Sequence, residues 1–192
     1  MIEGFVAPGF EPVREAFEQN FADDLELGAG FTALRGDEIL VNLTAGWMDR
    51  QKTKVWDSQT IVPVYSTSKG ISALVVAHVI SGSSDVTYDT PLVELWPEFG
   101  AHGKDQLTIA DVLSHQGGLS GFKDQIDPAI WLDPPATAAK LADTPPLWTP
   151  VPDGTSGYHP STWGYIAWEI VRRLTGKTLG TVLAETFAHT AG

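Results

Sequence analysis

The stretch Ile61-Val62-Pro63-Val64-Tyr65-Ser66-Thr67-Ser68-Lys69-Gly70-Ile71-Ser72-Ala73-Leu74-Val75-Val76-Ala77-His78-Val79 changes character in its middle. A short apolar run, residues 61–64, gives way to Ile71, Leu74, Val75, His78 and Val79 at helical spacing, until Ser81-Gly82-Ser83-Ser84 breaks the pattern. The spacing thus predicts a buried helix with Ser66 in its first turn. A serine hydroxyl is a weak nucleophile and needs a base within hydrogen-bond reach, and a lysine three residues on projects from the same face of a helix. Ser66 and Lys69 meet that condition. The lysine must also give up its proton, which burial and a neighbouring positive charge both favour. A helix N-terminus aims backbone N–H groups at the serine oxygen, so the Ser66 N–H is the candidate for one half of an oxyanion site.

Two common residues at one fixed spacing arise by chance about once in a chain of this length. Ser120-Gly121-Phe122-Lys123 repeats the pattern, but in a glycine-rich turn with no helix after it. Spacing and context leave two readings of Ser66: a nucleophile, or an N-cap serine beside a solvated lysine.

Upstream, Pro12 stands near the first position of a helix whose Val13, Phe17 and Phe21 fall four apart. Residues 31–34 and 39–43 are then two short strands joined through Arg35-Gly36-Asp37-Glu38, a hairpin ending near Gly46-Trp47. Downstream, Thr108-Ile109-Ala110-Asp111 has capping-box spacing and opens a short helix that Gly117-Gly118 closes. Residues 121–157, dense in proline, tryptophan and glycine, read as a long ordered excursion. A helix starts around Ser161-Thr162-Trp163, carries Trp163, Ile166, Ala167, Ile170, Val171 and Leu174 on one face, and stops at Gly176. Leu179, Val182, Leu183 and Phe187 suggest one more.

Composition excludes several functions. The 192 residues carry 12 Lys and Arg against 24 Asp and Glu, a net charge of -12, which disfavours nucleic acid and anionic membrane surfaces as partners. With no cysteine there is neither a disulfide nor a thiolate nucleophile or ligand. The five histidines, His78, His102, His115, His159 and His189, form no ligand pair, so no metal is expected, and His78 reads as a hydrogen-bonded core residue. Gly176-Lys177-Thr178 resembles the tail of a phosphate loop, but Val171 stands where its first glycine belongs, and no cofactor is expected. There is no Gly-x-Ser-x-Gly elbow. Without a basic and apolar leader or a long apolar run, the chain reads as soluble and cytoplasmic.

Three blocks in order, Val64-Tyr65-Ser66-Thr67-Ser68-Lys69-Gly70, Leu107 to Leu119 with its Leu113-Ser114-His115-Gln116-Gly117-Gly118-Leu119, and Gly157-Tyr158-His159-Pro160-Ser161, resemble the serine β-lactamase-like superfamily. The likeness is strongest to its class C β-lactamase-related esterases, and it runs over essentially the whole chain. It implies an α+β, β-lactamase/transpeptidase-like fold: a helical region plus the start of an antiparallel sheet flanked by helices. Residues 1–65 would supply the N-terminal helix and first strands, and residues 66–192 the mostly helical region with the nucleophile helix and tyrosine loop. The resemblance makes Ser66, Lys69 and Tyr158 the catalytic set and places Tyr65 and His159 at the substrate.

Where β-lactamases and peptidases carry an asparagine two residues after the tyrosine, this chain has Pro160, which has no side-chain donor. His159 beside Tyr158 is similar to the esterase branch, so a small-molecule ester is the expected substrate. A β-lactamase, a D-alanyl peptidase and a non-catalytic module or inactive fragment are the alternatives. The family's third motif, Lys-Thr-Gly or His-x-Gly, has no counterpart after Tyr158, which predicts an incomplete sheet and the N-terminal half of a longer enzyme. Oligomeric state is left open.

Overall fold

The hairpin expected around Gly36 forms, and a third strand joins it. In the computed structural model, which describes residues 2–150 and 155–188, the chain divides into two compact units, Met1–Pro63 and Val64–Gly192. In the first, β1 (Ile2–Val6), β2 (Gly28–Arg35) and β3 (Glu38–Gly46) make an antiparallel sheet in the order β1-β3-β2. Gly36 takes a φ of +60° in the β2–β3 turn, a left-handed conformation that costs glycine nothing. The central strand carries the core: Leu40, Val41 and Leu43 are buried against Ile2, Val6, Phe10, Val13 and Phe17. Val13 and Phe17 come from α1 (Glu11–Ala22), where Pro12 lies in the first turn and has no intrahelical hydrogen bond to lose.

The second unit is helical: α2 (Ser68–Ser81), α3 (Leu92–Leu95), α4 (Ile109–Leu113), α5 (Pro134–Ala142), α6 (Thr162–Thr175) and α7 (Leu179–Leu183). Its axis is α6, which packs against α2, α3, α4, α5 and α7. Trp163, Ile166, Ala167, Ile170 and Val171 are buried as the periodicity requires, and Gly176 ends the helix at a φ of +70°. The α2 face differs from the expected one. Val75, Val76 and Ile80 are buried, whereas Ile71 and Leu74 remain 48% and 49% exposed and His78 is an exposed ring set edge-on to Phe187. The helix is apolar on nearly every side, so spacing alone selects no inward stripe.

Within the expected excursion lies α5, capped by the Asp133 side chain, which accepts the Ala136 N–H at 3.0 Å. Part of that excursion, residues 151–154, falls outside the described residues, as does His189. Two buried ionic groups tie this unit together. Glu169 on α6 receives Arg172 Nε and Nη2, both at 2.7 Å, and Arg173 Nε, while Arg173 reaches on to Glu98 and to the Leu95 carbonyl. Lys104 is wholly buried and donates to the carbonyls of Ala101, Ala142 and Thr144 at 2.8, 3.0 and 2.7 Å. Burial pushes its pKa down to about 8, against the opposing pull of Asp143.

The short helix α4 has the capping box read from its sequence: the Thr108 hydroxyl accepts the Asp111 N–H at 3.1 Å, and the Asp111 carboxylate accepts the Thr108 N–H at 2.9 Å. Its end is different. The Gln116 N–H returns to the Asp111 carbonyl at 2.9 Å, so the left-handed residue is His115, at a φ of +68°, rather than Gly117. Gly118 is left-handed too, at +71°, and a Cβ there would stand 2.6 Å from Pro146 Cβ and 3.1 Å from the Trp148 carbonyl oxygen. Gly118→Ala is expected to cost roughly 2–4 kcal/mol, from backbone strain plus overpacking. A urea midpoint unchanged from that of the parent would contradict this.

Candidate active site

Ser66 sits in a 3-10 turn, Tyr65–Thr67, that runs directly into α2. The turn is entered through Tyr65 at a φ of +46°, a conformation few bulky residues adopt, and the Ser68 hydroxyl donates back to the Tyr65 carbonyl. This sharp entry exposes Ser66 ahead of the helix. One turn on, Lys69 is half-buried and donates through Nζ to Ser66 Oγ at 3.2 Å and to the Pro160 carbonyl at 2.6 Å.

Tyr158 arrives from the segment that precedes α6. Its hydroxyl lies 2.6 Å from Ser66 Oγ and, as the neutral phenol, donates to it. Lys69 Nζ is 5.0 Å from the centre of the Tyr158 ring. The hydrogen bond with Ser66, then that with Lys69 and the positive charge of Lys69, hold the phenol below the usual tyrosine range. Ser66, Lys69 and Tyr158, separated by up to 92 residues, thus converge on one oxygen. A cleft of about 290 Å³ opens beside them, lined by Tyr65, Ser66, Lys69, Ser72, Pro160 and Ser161 among others.

The two residues expected at the substrate lie in contrasting places. Tyr65 is 84% exposed on the rim of that cleft. His159 is wholly buried: Nε2 accepts the Leu119 N–H at 2.9 Å, and Nδ1 donates to the Gly157 carbonyl at 2.6 Å. Facing an N–H, Nε2 must be unprotonated, which assigns the proton to Nδ1. Together with the Thr162 hydroxyl, which donates to the Leu119 carbonyl, this ring staples the segment after α4 to the segment carrying Tyr158.

Burial pushes the His159 pKa down from 6.5 to about 4, outweighing the Gly157 hydrogen bond. Above pH 6.5 the ring is neutral in both folded and unfolded chains. As pH falls from 6.5 to 4, the unfolded chain takes up a proton that the folded one refuses, so stability is lost over that window, by at most about 3 kcal/mol. His115, shifted the same way, adds to the slope. Urea unfolding at pH 7 and pH 4 is expected to show a smaller loss for His159→Gln than for the parent; equal losses would refute the assignment.

Sequence reasoning gave no role to His115, whose ring lies 4.8 Å from that of Tyr158. The available signal was a histidine directly after a helix end, where glycine is usual.

The comparisons with known proteins bear on the family and the fold. A family model described as Beta-lactamase matches residues 16–192. Esterase/beta-lactamase LipL of Mycobacterium tuberculosis is 31% identical over 189 residues, covering 97% of this chain and 42% of that protein. The crystal structure of a novel penicillin-binding protein homolog from Caulobacter crescentus superposes with a TM-score of 0.93 at 44% identity, covering 99% of this chain and 50% of that one. A family VIII carboxylesterase gives a TM-score of 0.87 at 38% identity, with 96% and 50% covered. The chain spans about half the length of these relatives. With the model matched over nearly all of its residues and the α+β architecture shared with these structures, the chain belongs to the beta-lactamase family.

Proposed function

We propose that this chain carries the nucleophile, base and tyrosine of a serine hydrolase that cleaves small carboxylic esters through an acyl-enzyme on Ser66. The observation that carries the reading is the convergence of Tyr158 Oη at 2.6 Å and Lys69 Nζ at 3.2 Å on Ser66 Oγ. In the reactive state the Tyr158 phenolate takes the Ser66 proton as Oγ bonds to the ester carbonyl carbon. The tetrahedral intermediate collapses with cleavage of the bond to the alcohol oxygen, and Tyr158 passes its proton to that leaving oxygen. Water, deprotonated by Tyr158 in turn, attacks the acyl carbon, and Ser66 leaves with the proton restored. Lys69 favours the phenolate by hydrogen bond and charge, and the Ser66 N–H serves the developing oxyanion. Tyr65 on the rim contacts the acyl or alcohol portion, while His159 acts indirectly by holding the tyrosine segment.

Esters rather than lactams are favoured by Pro160. It offers no side-chain donor to an amide, and its carbonyl is engaged by Lys69 Nζ. The names of two relatives, a family VIII carboxylesterase and an esterase/beta-lactamase, support the same class. Incubating the full-length protein with a fluorophosphonate and mapping the adduct by mass spectrometry tests the reading: modification is expected on Ser66, and an unmodified Ser66 would sink it. A β-lactamase reading, which the second half of the LipL name keeps in play, predicts nitrocefin turnover faster than that of p-nitrophenyl esters.

A further inference from the structure

His115 occupies a position whose backbone favours glycine. It is the left-handed residue closing α4, and a side chain there carries a strain of order 1 kcal/mol that glycine would not. Strain retained at one residue calls for a contact that needs its side chain. Two side-chain contacts answer, beside one made by its backbone. The His115 carbonyl accepts the Gly157 N–H at 3.1 Å, and its Nδ1 accepts the His159 N–H, also at 3.1 Å. These are the peptide N–H groups of the residues immediately before and after Tyr158. Between them the His115 ring lies against the Tyr158 ring, centroids 4.8 Å apart at 57°.

We propose that His115 is the positioning residue for Tyr158: by holding the residues on both sides of it and backing its ring, it aims the phenol oxygen at Ser66. The inference rests on the hydrolase reading above for its purpose, though not for its geometry. The grip requires Nδ1 unprotonated, since an imidazolium would set N–H against the His159 N–H. The titratable groups around the ring act consistently with that. Burial, and then the charge of Lys69 from α2, lower the His115 pKa, and Tyr158 and His159 face it from the segment before α6, with ring centroids 4.8 and 5.3 Å away. Asp111, one turn back in α4, is occupied by the capping box.

Two substitutions separate the side-chain grip from the backbone. Asparagine tolerates the left-handed conformation and places an amide oxygen where Nδ1 now accepts, whereas glycine relieves the strain and removes the acceptor. In the full-length protein, the ionisation of Tyr158 is read as the near-ultraviolet difference between each protein and its Tyr158→Phe counterpart. The parent and His115→Asn are expected to ionise Tyr158 below the usual tyrosine range, with His115→Gly moved back toward it. The glycine variant should also lose kcat by about 10- to 100-fold, with KM changed far less, as a misaimed catalytic group would. A folded His115→Gly protein, verified by thermal melting, in which Tyr158 ionises as in the parent would overturn the proposal whatever its turnover. Should the glycine variant melt early, the asparagine variant decides, because loss of the low ionisation there is equally fatal. Fluorophosphonate labelling of the parent keeps the two ideas apart: a Tyr158 that responds to His115 in a protein whose Ser66 never labels would remove the hydrolase reading and leave the positioning role standing.

Discussion

Full-length protein carrying Ser66→Ala is expected to lose ester turnover by on the order of 10⁴- to 10⁶-fold, the scale seen when a nucleophile is removed from an assembled site. The physical reason is that Lys69 and Tyr158 both make their hydrogen bonds to Ser66 Oγ, so its removal leaves the base with nothing to deprotonate at that position. Stability should hardly change, because Ser66 is exposed and, among the described residues, its oxygen bonds these two side chains alone. Steady-state hydrolysis of p-nitrophenyl acetate, with a melting curve alongside, checks both halves. Turnover within tenfold of the parent would transfer the nucleophile's role elsewhere.

The second large effect concerns the base. Lys69→Met keeps the stem of the side chain and removes its hydrogen bonds, those to Ser66 and to the Pro160 carbonyl among them. Tyr158→Phe keeps the ring against His115 and removes only the hydroxyl. Each is expected to lower kcat by about 10²- to 10⁴-fold, the usual share of a general acid–base group. Because both act on one oxygen, the double variant should fall far short of the product of the two losses. The two should also differ in pH response. Lys69 helps hold the Tyr158 phenol below the usual range, so removing it moves the acidic limb of the kcat/KM profile to higher pH. Additive losses with an unmoved limb would mean that the two side chains work independently.

What could be read from the sequence was what is local. The inward face of α6 followed from Trp163, Ile166, Ala167, Ile170 and Val171, because a helix repeats its inward face within a few residues. The pairing of Ser66 with Lys69 needed only one helical turn. Strand β1 escaped because Ile2 to Val6 is short and contains Gly4; only pairing with residues 41–45 of β3 makes it a strand. Helix α5 was hidden behind Pro134-Pro135, which read as loop although prolines suit a first helical turn after an Asp133 cap. Lys104 has no local pattern that marks it for burial, since two of its three carbonyl acceptors lie 38 and 40 residues away. Tyr158 could be placed beside Ser66 only through the family likeness, since no spacing rule spans 92 residues.

The bond from Lys69 Nζ to the Pro160 carbonyl has a bearing on how such a site would look to mutagenesis. The acceptor belongs to the main chain, so exchanging the side chain at position 160 leaves that oxygen in place as long as the backbone keeps its path. An alanine scan would pass over the contact without a signal. Its importance would emerge only from changes that bend the segment between Gly157 and Ser161, and those would be recorded as damage to folding. Part of the lysine's anchorage is therefore written in backbone shape rather than residue identity, and sequence drift at position 160 can proceed without disturbing it.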